Sequence, residues 1–179
     1  MDSINRQQHE ENHADLDGSE AIKKLKDICE KKTCFFCTSF GIGQPFVTRP
    51  MAVQQVDQEG NLWFLSAEDS RKNAEILTDA SVELLFQGSA HSDFVALSGS
   101  ASVSRDRKKI EELWEPIFKT WFTDGIDDSR ITVIRVKPED GYYWDNKHGN
   151  MVAFAKQLAG AAVGKTLDDS IEGKLGFNP

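Results

Sequence analysis

Residues 62–77 read LWFLSAEDSRKNAEIL, a strand-like apolar run that is followed by a helix-like run. The strand pattern ends at Ser66, and helical spacing of apolar residues begins after Ser70. Serine is a preferred residue immediately before a helix, so Ser70 is predicted to precede one that has Arg71 and Lys72 in its first turn. Cations are disfavoured at the positive end of a helix dipole, and two of them there indicate an anion site.

Two interpretations of this segment remain open at the level of residues. The hydroxyls of Ser66 and Ser70, the backbone N–H groups and the cations Arg71 and Lys72 together have the chemistry of a phosphate site. Alternatively, Arg71 and Lys72 are solvated surface charges, since like charges in a first turn are common.

A second informative segment, Thr48-Arg49-Pro50-Met51, lies inside another strand pattern. Proline removes a ladder donor, so this strand is predicted to be irregular or to lie at a sheet edge. Irregular backbone leaves N–H and C=O groups available to a planar heterocycle, and Arg49 adds a further cation. An ordinary edge strand with a surface arginine is the alternative.

The remaining chain alternates between strand-like runs and a few helix-like runs, which favours an α+β barrel over a doubly wound sheet. Gly99 is expected to mark a bulge or a bend in a long strand over 93–104. One helix is predicted from Arg105 to Trp121, because its apolar residues are spaced to share one face. These residues are Ile110, Leu113, Trp114, Ile117, Phe118 and Trp121.

Composition excludes several classes of protein. A net charge of −8 with no basic stripe argues against nucleic-acid binding, and no apolar run is long enough to span a membrane. The first eighteen residues are polar, so no secretory signal is expected. The three cysteines are an odd number, which favours a reduced, cytoplasmic protein. Cys34 and Cys37 form a C-x-x-C inside a strand pattern and are interpreted as core residues.

Three regions are expected along the chain. Residues 1–18 are polar and are predicted to form a mobile N-terminal arm. Residues 19–165 contain the strand and helix patterns and form a single domain, and residues 166–179 are a C-terminal tail without a clear pattern.

The order and spacing of these segments resemble the pyridoxamine 5′-phosphate oxidase-like superfamily, and within it the general stress protein 26 branch. The resemblance runs from about Ser19 to the YYWD segment and rests on several motifs rather than on one. These motifs are TRPM, WFLSAEDSRKNAEI, SVELLFQ, LWEPIFKTWF and YYWD. The resemblance implies an α+β fold, with a six- to seven-stranded antiparallel split β-barrel and flanking helices. It also implies that residues 19–165 bind flavin mononucleotide (FMN), with flavin adenine dinucleotide (FAD) as the alternative.

The same resemblance assigns roles to individual residues. Two subunits of a homodimer enclose the flavin, and aromatic side chains of the partner complete the pocket. The implied cofactor-binding residues are Arg49, Pro50 and Met51 along the isoalloxazine ring, Leu65 and Ser66 on the next strand, Ser70, Arg71 and Lys72 at the phosphate, and Trp144 and Trp121, with Phe122 behind them, as the aromatic residues.

The chain departs from true pyridoxamine phosphate oxidases at two places. The Arg-x-His pair that grips their substrate is absent from the C-terminal KLGFNP, and Phe94 stands where they have a glutamine near the flavin. That oxidase activity is therefore not expected, and no residue is identified as catalytic. The open functions are an FMN-dependent oxidoreductase acting on a small molecule, a non-catalytic flavin store in the stress response, and a split barrel that binds a deazaflavin or haem.

Overall fold

A computed structural model describes residues 11–177, apart from 40, 42, 44, 90, 91, 164–166 and 168. It is an α+β fold in which one large sheet carries four α-helices. The strands are β1 (Leu16–Asp17), β2 (Thr33–Thr38), β3 (Val47–Ala52), β4 (Gln55–Val56), β5 (Leu62–Ala67), β6 (Ser81–Gln87), β7 (Phe94–Ser104), β8 (Ile131–Asn146) and β9 (Ser170–Gly176). The helices are α1 (Gly18–Cys29), α2 (Arg71–Thr78), α3 (Arg107–Leu113) and α4 (Asn150–Val163).

The strands have the connectivity of a split barrel. Their order is β1-β9-β8-β7-β6-β2-β3, and β5 pairs with β4 and β8. The long β8 therefore pairs with β5 near its start and with β9 near its end, while β7 runs along its other side. All described pairings are antiparallel except β1 with β9. The predicted fold class is confirmed, and two of the nine strands, β1 and β4, have only two residues each.

Alternating apolar residues build the core. In β6, Val82, Leu84 and Phe86 point inward and are buried, while the residues between them are exposed. The rings of Phe36 and Phe64 meet edge to face at 5.2 Å between centroids. Full burial of each large apolar side chain contributes about 1.5–3 kcal/mol, which makes this face the main source of stability.

The predicted irregularity at Gly99 is confirmed. The register between β7 and β8 shifts between Ser98 and Gly99. A Cβ at Gly99 would lie 2.4 Å from the carbonyl oxygen of Lys137, which is closer than real Cβ contacts. Only glycine permits this approach, and it allows β7 to bend around the barrel.

The predicted continuous helix from Arg105 to Trp121 is wrong. The helix α3 ends at Leu113, and the chain resumes as a 3-10 helix over Pro116–Thr120. Proline disfavours helical geometry in the residue before it, and Glu115 accordingly has φ −125° and ψ 146°. The apolar residues therefore do not share one face, and Trp121 is 63% exposed.

Both ends of the described chain belong to the sheet. The segment 166–179, predicted to be a tail, contributes β9, which pairs with β8 from Asp140 to Asn146. Within the predicted arm, residues 1–10 lie outside the described residues, whereas β1 pairs with β9. The Tyr143 hydroxyl donates to the Ala14 carbonyl at 2.8 Å. Gly173 permits this docking, because a Cβ there would overlap the Ala14 carbonyl.

The buried cysteines argue against a thiol-based redox site. Cys29, Cys34 and Cys37 are free and buried, as predicted for the two in the C-x-x-C. Burial raises the pKa of the Cys34 thiol to about 12, so it is not a reactive thiolate. Among the described residues, no helix combines the length and hydropathy required to cross a bilayer.

Candidate functional site

A cavity of about 470 Å³ lies between β3 and β5. The backbone N–H of Gln54 donates to the Trp63 carbonyl at 2.8 Å, which holds the chain together at one end of this gap. Within the described chain, β3 pairs only with β2, and no ladder joins it to β5. The lining residues are Pro50, Met51, Ala52, Gln54, Leu65, Ser66, Ala67, Lys72, Phe118, Trp121 and Phe122.

Proline sits in this wall for the reason expected from the sequence. The strand β3 is the last one in the sheet order and pairs with β2 on one side only, and an edge strand tolerates proline because its nitrogen can face the unpaired side. The unpaired edge of β3 leaves backbone polar groups directed toward the gap between β3 and β5. This edge has the chemistry to bond the polar rim of a flat heterocycle.

Aromatic rings form one wall of the cavity. Phe118 lies 5.8 Å from Trp114 and 6.5 Å from Trp121, measured between ring centroids. Phe122 is buried and belongs to a second, smaller core cluster beneath them. The break at Pro116 turns this segment across the end of α3, so Trp121 reaches the cavity although it is not on a continuous helix.

The start of α2 is fixed by a buried polar network. The Ser66 hydroxyl donates to Asn73 Oδ1 at 2.7 Å, and Asn73 Nδ2 donates to the Ala67 carbonyl at 3.1 Å and to Thr132 Oγ1 at 3.0 Å. Thr132 in turn donates to the Ser66 carbonyl at 3.0 Å. Each member of the network is paired, so it locks α2 onto β5 and β8. Lys72, the residue before Asn73, is positioned at the cavity by this network.

Ser70 precedes α2 as predicted, but its side chain does not cap the helix. Its hydroxyl lies 3.1 Å from the Ser66 hydroxyl. Because the Ser66 proton points to Asn73, Ser70 is the donor in this contact. The side chain therefore leaves the first-turn N–H groups of α2 to other acceptors.

A buried carboxylate lies one turn beyond Lys72. Glu75 has no exposed side-chain area, and its Oε2 accepts from Thr38 Oγ1 at 2.5 Å and from Arg49 Nη2 at 2.6 Å. Arg71 Nε lies 3.1 Å from the other oxygen, Oε1. Burial raises the pKa of Glu75, but the hydrogen bonds from Thr38 and Arg49 outweigh it and the pKa is lowered. Glu75 is therefore an anion at neutral pH.

Lys72 is the cation that lines the cavity itself. It is half-buried, and its pKa is lowered by burial and then by the nearby charge of Arg49. Both causes disfavour its charged form, and a bound anion would reverse their effect. The residue is thus poised to receive a negatively charged group.

The structure brings together seven of the residues predicted from sequence: Pro50, Met51, Leu65, Ser66, Lys72, Trp121 and Phe122. Ser70 and Arg71 lie beside them but do not line the cavity, and Arg49 faces Glu75.

Trp144 lies elsewhere on the same chain. It is on β8, opposite Phe94 and 4.7 Å from the Tyr142 ring. Its contribution from a partner subunit stays a prediction. The sequence did not single out Ala52, Gln54, Ala67 and Phe118 as lining residues. Ala52 and Ala67 directly follow predicted positions on β3 and β5, Gln54 lies between β3 and β4, and Phe118 shares a helix-like pattern with Trp121.

A second cavity of about 500 Å³ surrounds Trp63, away from these residues. Its charged groups satisfy one another: Trp63 Nε1 donates to Asp57 at 2.8 Å, and Lys109 donates to Gln55 at 2.6 Å and to Glu112 at 3.0 Å. Its lining contains as many cations as carboxylates. Because no net charge or apolar wall selects a ligand there, the cavity between β3 and β5 is the stronger candidate.

Comparison with known proteins agrees with this fold. Protein bli-3 of Neurospora crassa is 28% identical over 128 residues, which are 66% of this chain and 61% of that protein. The chain therefore spans about three fifths of the length of this relative.

Two solved structures have the same fold. A protein assigned as general stress protein 26 from Jannaschia sp. CCS1 superposes with a TM-score of 0.68 at 18% identity, covering 87% of this chain and 94% of that one. The general stress FMN/FAD binding protein of Xanthomonas citri superposes with a TM-score of 0.57 at 22% identity, covering 68% and 84% of the two chains. Residues 20–168 match the family described as pyridoxamine 5′-phosphate oxidase like. With the split barrel and the order of its motifs, this match confirms the resemblance: the chain belongs to the pyridoxamine 5′-phosphate oxidase-like family.

Proposed function

We propose that the protein binds FMN in the cavity between β3 and β5. The observation that carries the proposal is one cavity that combines eight apolar lining residues, among them three aromatic ones, with the half-buried cation Lys72. A flavin phosphate has the matching parts: a flat ring with apolar faces and a dianionic phosphate. The Xanthomonas citri protein of the same fold is named for FMN/FAD binding, which supports a flavin here.

The proposal gives each residue a part. The backbone of 49–51 and Leu65 would line the ring, and Trp121 would contribute to the aromatic wall. Lys72, Arg71 and the backbone N–H groups at the start of α2 would hold the phosphate, because the helix dipole favours an anion there. The Ser70 hydroxyl would join them by turning from Ser66, whose own proton stays with Asn73. FAD, which carries an additional adenylate group, is the alternative ligand.

The visible absorption spectrum of the purified protein tests this proposal. Bound FMN would give flavin absorption bands. The flavin that mild denaturation releases from the protein would co-elute with FMN and not with FAD in chromatography. Apoprotein titrated with FMN should quench the flavin fluorescence with saturation at one FMN per subunit. Bands of a deazaflavin or a haem, or no binding of any flavin, would overturn the assignment.

We further propose that the bound flavin transfers electrons between a reductant and a small acceptor. Redox chemistry is supplied by the cofactor, and this chain supplies position, an apolar environment and Lys72 as a fixed cation. Anaerobic mixing of the flavin-loaded protein with reduced nicotinamide cofactors tests this: loss of the flavin bands within seconds to minutes supports an oxidoreductase.

One observation favours a binding protein without turnover as the second candidate. Among the described residues that line the cavity, none is a histidine, aspartate, glutamate, cysteine or tyrosine. Apart from Lys72, which we assign to the phosphate, the cavity thus lacks the usual proton-transfer groups, as a flavin store would. A flavin that stays oxidised under every reductant tested would favour this candidate. For either candidate, we expect no oxidation of pyridoxamine phosphate, since the C-terminal Arg-x-His pair is absent.

We propose that the functional unit is a homodimer whose second subunit covers this cavity. Phe35 and Leu85 lie side by side on adjacent strands of the outer sheet face and are 58% and 43% exposed. Phe35 is also the register partner of Pro50, which lines the cavity, so the apolar patch and the cavity are continuous. A second copy seated on Phe35 and Leu85 would reach the cavity, and this continuity favours it as the occupant.

Because the described cysteines are free, we place the protein in the reducing cytoplasm.

A further inference from the structure

Two arginines contact the buried Glu75, although one cation is enough to neutralise its single negative charge. Its side chain has no exposed area, and it contacts the guanidinium groups of both Arg49 and Arg71. Arg49 also donates to Thr38 Oγ1 at 2.9 Å, and Thr38 donates to Glu75, so this end of Arg49 is fixed in a closed triangle of hydrogen bonds. Charge-assisted hydrogen bonds of this kind are among the strongest in proteins.

The charges around the start of α2 do not balance. Arg49, Arg71 and Lys72 contribute three positive charges, whereas Glu75 and Asp69, whose charge also acts on Lys72, contribute two negative ones. A phosphate monoester carries close to two negative charges at neutral pH, with a second pKa near 6. A phosphate bound here would therefore add negative charge beside Glu75, and the two anions would share the same cations.

The three cations differ in what they contact. Lys72 lines the cavity, whereas Arg49 does not line it and points to Glu75. Arg71 is shared, because its Nε faces Glu75 while its side chain is largely exposed. A phosphate bound beside Lys72 would compete with the Glu75 carboxylate for the same arginines.

Resting on the proposed function, we propose that Glu75 is a specificity-determining residue that weakens phosphate binding by competing for Arg49 and Arg71. It does not touch the flavin, and it acts by positioning these two cations. Without its charge, both arginines would direct more of their charge to the phosphate. The consequence is a preference for the phosphorylated flavin that lies below the maximum these cations could give.

The test is the ratio of the affinities for FMN and riboflavin, which differ only in the phosphate. In Glu75→Gln this ratio should rise on the order of tenfold over the unmutated protein, which corresponds to about 1.4 kcal/mol. Inorganic phosphate should likewise bind the variant more tightly than the unmutated protein, as measured by competition with FMN at matched FMN occupancy. Glu20→Gln is the control, because Glu20 is exposed in the first turn of α1, and its ratio should be unchanged.

The alternatives give different results. A purely structural role for Glu75 predicts that FMN and riboflavin affinities fall together, and a ratio that is unchanged or lowered overturns the inference. Glu75→Asp, which keeps the charge, should restore the ratio of the unmutated protein. If that protein itself shows no preference for FMN, the proposed function fails instead, and the two failures are thereby distinguished.

A double variant covers the case in which Glu75→Gln does not fold. Arg49→Gln with Glu75→Gln replaces the buried ion pair by a neutral amide pair, which is less costly than leaving either charge alone. If Arg49 is held by Glu75 and does not hold the phosphate, this double variant should keep the full FMN preference. Loss of the preference would show that Arg49 is a direct phosphate ligand and would overturn the inference.

Discussion

The side-chain amide of Asn73 donates a hydrogen bond to Thr132 Oγ1 across 3.0 Å, and both side chains are buried. The two residues are 59 positions apart and belong to α2 and β8. The same asparagine accepts from Ser66 and donates to the Ala67 carbonyl, so it joins three elements. The position of Lys72 at the cavity depends on this one side chain.

We expect Asn73→Ala to lower the free energy of unfolding by about 2–4 kcal/mol, because it removes the three hydrogen bonds by which this buried side chain joins α2 to β5 and β8. Urea denaturation measures this change. Thr78→Ala is the control on the same helix, since its hydroxyl bonds the Ala74 carbonyl at the exposed surface, and it should change stability by less than about 0.5 kcal/mol. Equal losses for the two variants would show that the network does not fix α2.

Most strands were predictable because their signal is local. The alternation in β6 and the glycine at the β7 bulge follow from residues close in sequence. The strand β9 was missed because SIEGKLG has little apolar alternation, and its place depends on distant pairing with β8 and on the close approach of Ala14 to Gly173. Pro116 shows the opposite failure: the apolar spacing over 105–121 predicts one helix, but the backbone before a proline cannot continue it, so the apolar residues are divided between α3 and a 3-10 helix.

The sequence predicts the local parts of the site, as it does for the fold, and misses the long-range ones. The lining positions on β3 and β5 and Lys72 follow from short motifs in one stretch each. The partnership of Arg49 with Glu75 spans 26 residues and has no sequence signal, so the arginine was expected to face a ligand. Long-range ion pairs of this kind arise from the fold and not from any local pattern.

We expect the protein to be a dimer with twice the chain mass of 20.0 kDa in light scattering at micromolar concentration. The double change Phe35→Asp with Leu85→Asp places two charges on the proposed contact face and should produce monomers that bind FMN weakly. Leu77→Asp is the control, because Leu77 is exposed by 78% on α2 and lies outside that face. Dimers of unchanged affinity in the Phe35 and Leu85 variant would contradict the arrangement.

The pH dependence of stability should reflect Asp169. Burial raises the pKa of this carboxyl, but hydrogen bonds from Lys156 and His148 at 2.7 Å outweigh it and hold the pKa at about 2. An aspartate in the unfolded chain has a pKa near 3.8. Since the folded pKa is the lower one, its contribution is complete above about pH 5 and is lost as the pH falls from about 4 toward 2.

Thermal unfolding measured from pH 6 to pH 2 tests this contribution. Asp169→Asn should lower the melting temperature at pH 6 and flatten its decline below pH 4, compared with the unmutated protein. Asp27→Asn removes only an exposed pair with Lys23 on α1 and should leave the curve nearly unchanged. A decline just as steep in Asp169→Asn would assign the acid sensitivity to other carboxyls.

Lys72→Ala tests the phosphate end of the site directly. A hydrogen bond to a charged group contributes about 1.5–3 kcal/mol, so the loss of Lys72 should weaken FMN binding by roughly 10- to 100-fold. Riboflavin, which has no phosphate, should bind the variant with nearly the affinity that it has for the unmutated protein. Lys23→Ala on α1 is the control, because Lys23 is exposed and pairs only with Asp27 at 2.7 Å. Flavin fluorescence quenching gives all of these affinities, and raising the salt concentration should narrow the difference between FMN and riboflavin. An equal loss for both flavins would mean that Lys72 supports the ring and that the phosphate lies elsewhere.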